Sequence, residues 1–82
     1  MDFQMVVSAL GCRTRADILR MVTVRPQNLT ELAHALHLGV PSIYAAVAKL
    51  ETAGLVVSRR RGRQRLVRSR YRKIDLLFQD MS

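Results

Sequence analysis

Nine of the sixteen residues from Ser58 to Lys73, SRRRGRQRLVRSRYRK, are basic and none is acidic. Guanidinium groups at this density do one kind of chemistry well: they neutralise phosphate or carboxylate oxygens and fork onto them through paired N–H donors. Over the wider span 52–74 the excess is +9, while the rest of the chain carries −1, so the formal charge of +8 resides in one segment. The natural partner is a polyanion, nucleic acid first and an anionic membrane surface second. Other reactive side chains are sparse. His34 and His37 stand one turn apart and, with Cys12, make the nearest approach to a metal site, but no fourth ligand accompanies them and exposed helix positions explain both histidines. Asp17, Glu31 and Glu51 are scattered and suit capping and solvation. No Ser-His-Asp set, paired carboxylate or glycine-rich phosphate loop occurs, so neither enzymatic activity nor a cofactor is expected.

The arginines need a frame, and their apolar neighbours supply one. Leu55, Val56 and Val57 before the run and Leu66 and Val67 within it form β-branched or alternating stretches around Arg60-Arg61-Gly62-Arg63, the pattern of two short antiparallel strands and a hairpin over about 55–70. Upstream the period changes to that of helices. Phe3, Val6, Val7 and Leu10 share one face of a helix over 2–10 that Gly11 ends. A second helix covers TRADILRMVTV, with Thr14 and Asp17 in capping-box relation, Ile18, Leu19 and Val22 inward, and Pro26 closing it. A third runs from about Leu29 to His37, capped by Asn28 or Thr30, with Leu29, Leu32, Ala33 and Leu36 inward. After the turn His37-Leu38-Gly39, a fourth opens at Val40-Pro41, buries Val40, Ile43, Val47 and Leu50, and stops where Gly54 supplies a left-handed cap. A last helix over 71–81 aligns Ile74, Leu77, Phe78 and Met81.

Two short helices over about 29–53 joined by a tight turn and followed at once by a hairpin form a winged helix-turn-helix pattern. The expected fold is therefore mainly α with a small β-hairpin, in the order helix, helix, helix, helix, strand, wing, strand, helix, as one domain over 1–82. Subtracting the inward stripe of the fourth helix leaves Pro41, Ser42, Tyr44, Ala45, Ala48 and Lys49 as the residues that face base edges and phosphates, with Arg59, Arg60, Arg61, Arg63 and Arg65 on the wing. Arg72 and Lys73 fall to the last helix.

Length and composition agree. A chain of 82 residues with 49 % hydrophobic residues holds one core and gains from a second copy. No stretch reaches the roughly 20 apolar residues of a membrane span, the N-terminus does not read as a signal peptide, and a lone cysteine suits a reducing compartment. A soluble, cytoplasmic, nucleoid-associated protein is the expectation.

The stretches ALGCRTRADILRMV and LTELAHALHLGVPSIYAAVAKLETAGLVVSRRRGR resemble the small ArsR-type winged-helix repressors, and more loosely the wider MarR and PadR-like group. The likeness covers roughly residues 8–70 and rests on Glu31-Leu32-Ala33, on Leu50 with Ala53-Gly54-Leu55-Val56, and on Arg60 through Gly62-Arg63. It implies a homodimer, joined through its first and last helices at Phe3, Val6, Val7, Leu10, Ile74, Leu77, Phe78 and Met81, that binds an inverted repeat in promoter DNA to block transcription. Two departures stand out. The Cys-x-Cys pair and the Asp and His ligands of metal-sensing members are missing, since the third helix reads ELAHALH and the last holds only Asp75 and Asp80. The fourth helix has Tyr44-Ala45-Ala46 where the family commonly has a polar pair. The mild face of that helix leaves a second reading: an interaction or architectural module that binds DNA non-specifically, RNA or an acidic protein. No membrane, metal or small-molecule partner is expected.

Overall fold

The structure, a computed structural model, describes residues 13–70. The expected helices over 2–10 and 71–81, with their apolar stripes, and Cys12, Arg72 and Lys73 lie outside the described residues.

Helix α1 spans Arg13–Val24 and buries Ile18, Leu19 and Val22, the expected stripe. Its start differs from expectation. The backbone is already helical at Arg13, so Thr14 sits inside the first turn and does not cap it; Asp17 pairs instead with Arg13 at 3.8 Å and with Arg20. The chain leaves the helix at Arg25-Pro26 and extends, as the constraint ahead of proline requires.

Gln27–Asn28 form a two-residue strand, β1, and Asn28 then caps helix α2, Leu29–Leu36. The cap is reciprocal: the Glu31 amide donates to Asn28 Oδ1 at 2.8 Å, and the Asn28 amide donates to the Glu31 carboxylate at 3.0 Å, satisfying two of the helix's orphan donors. At the far end His37 adopts φ 55°, and the amides of His37 and Leu38 return to the carbonyls of His34 and Ala33. A non-glycine residue closes this turn in left-handed geometry.

Helix α3 is Val40–Thr52, with Pro41 in its first turn. Ile43, Ala46, Val47 and Leu50 face inward. Val40 does not: at 41 % exposure it opens onto solvent, because at the first position the helix has not yet met the core. Gly54, at φ 77°, reverses the chain, and the Gly54 and Leu55 amides close onto the carbonyls of Glu51 and Leu50. The reversal places Leu55 in the core and launches strand β2, Val56–Arg61. Strand β3 is Gln64–Ser69, and the two pair antiparallel from Val56↔Ser69 to Arg61↔Gln64, leaving Gly62-Arg63 as a two-residue turn. Gly62 has φ 63° and Arg63 does not share it, which matches a type II′ hairpin with glycine first.

The hairpin was expected; the third strand was not. β1 pairs antiparallel with β3 through Gln27↔Val67 and Asn28↔Leu66, so the sheet order is β1-β3-β2. Buried Gln27, 7 % exposed, donates its side-chain amide to the Met21 carbonyl at 3.0 Å and ties the end of α1 to the sheet. The core joins Ile18 and Val22 of α1, Leu32 of α2, Ile43, Val47 and Leu50 of α3, Leu55 just ahead of β2, and Val67 of β3.

Candidate nucleic-acid interface

At 100° per residue, the buried face of α3 at Ile43, Ala46, Val47 and Leu50 leaves Pro41, Ala45 and Ala48 outermost, with Ser42 and Lys49 on the flank toward α1 and Tyr44 and Glu51 on the flank toward the wing. All six residues expected on this helix, Pro41, Ser42, Tyr44, Ala45, Ala48 and Lys49, are exposed. Structure divides them. Ser42, Ala45 and Lys49 line a shallow groove with Thr14 and Arg15 at the start of α1 and Leu38 of the turn before α3, whereas Tyr44, 53 % exposed, faces Arg65.

The wing divides its arginines too. Side chains alternate along a strand, and buried Val56 and Val67 fix which face looks inward. Arg60 and Arg65, directly opposite one another, share that inner face with Ser58, while Arg59, Arg61 and Arg68 belong to the outer face and Arg63 occupies the turn. Arg68 is exposed on that outer face.

Arg65 is half-buried and engaged. Its Nη1 donates to Ser58 Oγ at 2.9 Å, and Ser58 Oγ donates to Glu51 Oε1 at 2.8 Å. The Arg65 guanidinium carbon lies 5.8 Å from the centre of the Tyr44 ring, within cation–π range. The wing is thus clamped onto α3 at two helix positions two turns apart. From the sequence, Arg65 groups with the other wing arginines and Glu51 suits capping and solvation, while Ser58 has no assigned role.

Of the three acidic groups among the described residues, Asp17 and Glu31 are paired away from the wing. Asp17 pairs with Arg13 and Arg20, and Glu31 pairs with Arg25 at 3.5 Å. Among the described residues no acid pairs with Arg59, Arg61, Arg63 or Arg68. The same residues contain no cluster of three or more His, Cys, Asp or Glu able to hold a metal, and no helix long and apolar enough to cross a membrane. His34 and His37 are both exposed, and Cys12 lies outside the described residues.

Helices α2 and α3 across a tight turn, with a hairpin clamped beside the second, define a winged helix-turn-helix protein. The family model HVO_A0114 matches residues 13–76, and the chain belongs to that family. Over 50 residues it is 44 % identical to the HTH-type transcriptional regulator MJ0229 of Methanocaldococcus jannaschii, a match covering 61 % of this chain and 53 % of that protein. The chain thus spans about half the length of the curated relative it matches. Among solved structures, it resembles HlyU from Vibrio cholerae with a TM-score of 0.81 at 19 % identity, covering 94 % of this chain and 84 % of that one. It also resembles the homodimeric winged helix-turn-helix DNA-binding domain of Mb0332 from Mycobacterium bovis, described as a possible ArsR-family transcriptional regulator. There the TM-score is 0.82 at 24 % identity, over 95 % of this chain and 72 % of the other. The fold is that of the ArsR-type regulators.

Proposed function

We propose that this chain is a DNA-binding transcriptional regulator, a homodimeric repressor that lays α3 in the major groove and sets its wing against phosphate or the adjacent minor groove. One observation carries the reading: the exposed flank of α3 adjoins a clamped hairpin whose arginines have no acidic partners among the described residues. A helix about 10–12 Å across fits a major groove about 12 Å wide, and unneutralised arginines beside it supply counterion release. Pro41, Ser42, Tyr44, Ala45 and Lys49 are the proposed helix contacts. Arg59, Arg60, Arg61 and Arg63 are the proposed wing contacts, with Arg65 holding the wing in place. Association as a homodimer is supported by the description of Mb0332 and by the apolar spacing of Phe3, Val6, Val7, Leu10, Ile74, Leu77, Phe78 and Met81. A twofold dimer calls for an inverted-repeat operator with half-sites roughly 34 Å apart.

The test is the salt dependence of duplex binding. Arg63→Gln lowers the slope by about 0.9, which over a fourfold change in salt spares about 3.5-fold in affinity. Tyr44→Ala costs about 1–3 kcal/mol at particular base pairs and leaves the slope alone. Binding without salt dependence, or with no preference for duplex over single strands, defeats the proposal.

A second reading has its own support: the outermost positions of α3 are Pro41, Ala45 and Ala48, none of which forms a bidentate bond to a base. That suits an architectural binder that tolerates any sequence. Selection from a random duplex pool separates the two, since the regulator yields a consensus and the architectural binder none.

A further inference from the structure

Beneath the wing runs a groove of about 270 Å³ between the hairpin and the starts of α2 and α3, lined by Asn28, Thr30, Val40, Arg60, Arg63 and Arg65 among others. No acidic residue among the described residues lines it. Arg60 and Arg65 face it as a directly opposed cross-strand pair, an arrangement in which like charges repel and weaken the hairpin. Neither guanidinium has an acidic partner among the described residues, because the link from Arg65 to Glu51 passes through the neutral hydroxyl of Ser58. Each is nonetheless tethered: Arg60 Nε donates to the Gly62 carbonyl at 3.2 Å, and Arg65 Nη1 donates to Ser58. Tethering by one nitrogen leaves the other N–H donors of each fork pointed and unspent, and pre-orientation lowers the entropy that binding must overcome.

We infer that this groove is a built seat for one phosphodiester of the bound duplex, gripped by Arg60 and assisted by Arg65 and the Thr30 hydroxyl. The inference rests on the DNA-binding reading above and assigns to one place what that reading leaves spread over the wing. Its location follows from DNA geometry. The ridge separating major from minor groove is a sugar–phosphate strand, so with α3 in one groove and the wing tip in or near the next, that strand passes between them. The groove occupies this position, and the strained pair facing it is neutralised once a phosphate arrives. Outer-face Arg59 and Arg61 contribute charge without a fixed seat.

The experiment compares Arg60→Gln with Arg59→Gln, neighbours of equal charge on opposite faces, using a mixed-sequence duplex of about two helical turns at roughly physiological salt. Arg60→Gln lowers affinity about 10-fold, through loss of an oriented fork, against about 3-fold for Arg59→Gln. The same Arg60→Gln protein melts about 2–4 °C higher, since the opposed charges are gone. Arg60→Lys, which keeps the charge and loses the fork, falls about 3- to 5-fold with an unchanged salt slope. Equal losses for Arg59→Gln and Arg60→Gln, or a lowered melting point that accounts for the lost affinity, overturn the seat and leave the DNA-binding reading intact. Failure of the unmodified protein to bind any duplex overturns that reading and the seat with it.

Discussion

Ser58→Ala removes a single hydroxyl, and with it the bridge between wing and helix. The hydroxyl takes a hydrogen bond from Arg65 at 2.9 Å and gives one to Glu51 at 2.8 Å. Bonds to charged groups contribute about 1.5–3 kcal/mol each in shielded settings. Here the discount is large, because Glu51 is exposed and Arg65 only half-buried, so both recover water when the hydroxyl is lost. The methyl left behind creates no cavity of consequence at a half-buried strand position. About 1 kcal/mol remains, which for a domain of this size lowers the melting temperature by about 4–8 °C. Thermal denaturation followed by circular dichroism measures it, with exposed Ser42→Ala as a control expected within about 0.5 kcal/mol of the parent. The loss is also local. Amide exchange should accelerate in β2 and β3 while α1 and α2 keep their protection, since the clamp joins only the wing to α3. A destabilisation below about 0.3 kcal/mol, or faster exchange spread evenly over every element, would falsify the idea that these three residues fix the wing.

Two further predictions concern backbone geometry. His37→Gly relieves a left-handed residue at the end of α2 and stabilises the protein by about 1 kcal/mol, read as a raised urea midpoint with an unchanged m-value. Gly62→Ala acts in the opposite direction: a Cβ there meets nothing within 4 Å, so the cost of about 1–2 kcal/mol is wholly that of φ 63°, and Gly62→D-Ala, made by chemical synthesis, retains the stability of the parent.

How far the fold could be read from the sequence depends on which residues one asks about. Helices α2 and α3 were readable because their apolar positions repeat at helical spacing and their ends carry local chemistry, Asn28 with Glu31 at one start and Ala53-Gly54 at one stop. Strand β1 was not. Gln27 and Asn28 are polar and have no period, and they are a strand only because Val67 and Leu66, nearly forty residues on, offer them a ladder. Val40 was misassigned for a related reason, since helical spacing ignores where the helix stands relative to the core and the first turn of α3 overhangs it. The clamp needed the fold as well: Tyr44, Glu51, Ser58 and Arg65 are seven residues apart in succession, a spacing that means little until a helix and a hairpin are laid side by side.

The arrangement of charge carries the functional reading further than its amount does. The wing gathers arginines on both faces, and the opposed pair Arg60 and Arg65 works against the hairpin that displays it. A fold under selection for stability alone would set an acid across from one of them, at little cost in strand geometry. Instead Asp17 and Glu31 serve arginines of the helical half and its loop, and Glu51 reaches the wing only through a neutral hydroxyl that orients Arg65 without cancelling its charge. Stability is therefore withheld at the surface proposed to receive an anion, where a bound phosphate would restore it. Binding partner and fold are coupled in sign: a polyanion that occupies the wing should raise the melting temperature by more than the same ligand does for the Arg60→Gln protein, and high salt, which screens the repulsion and weakens the ligand together, should shrink that difference.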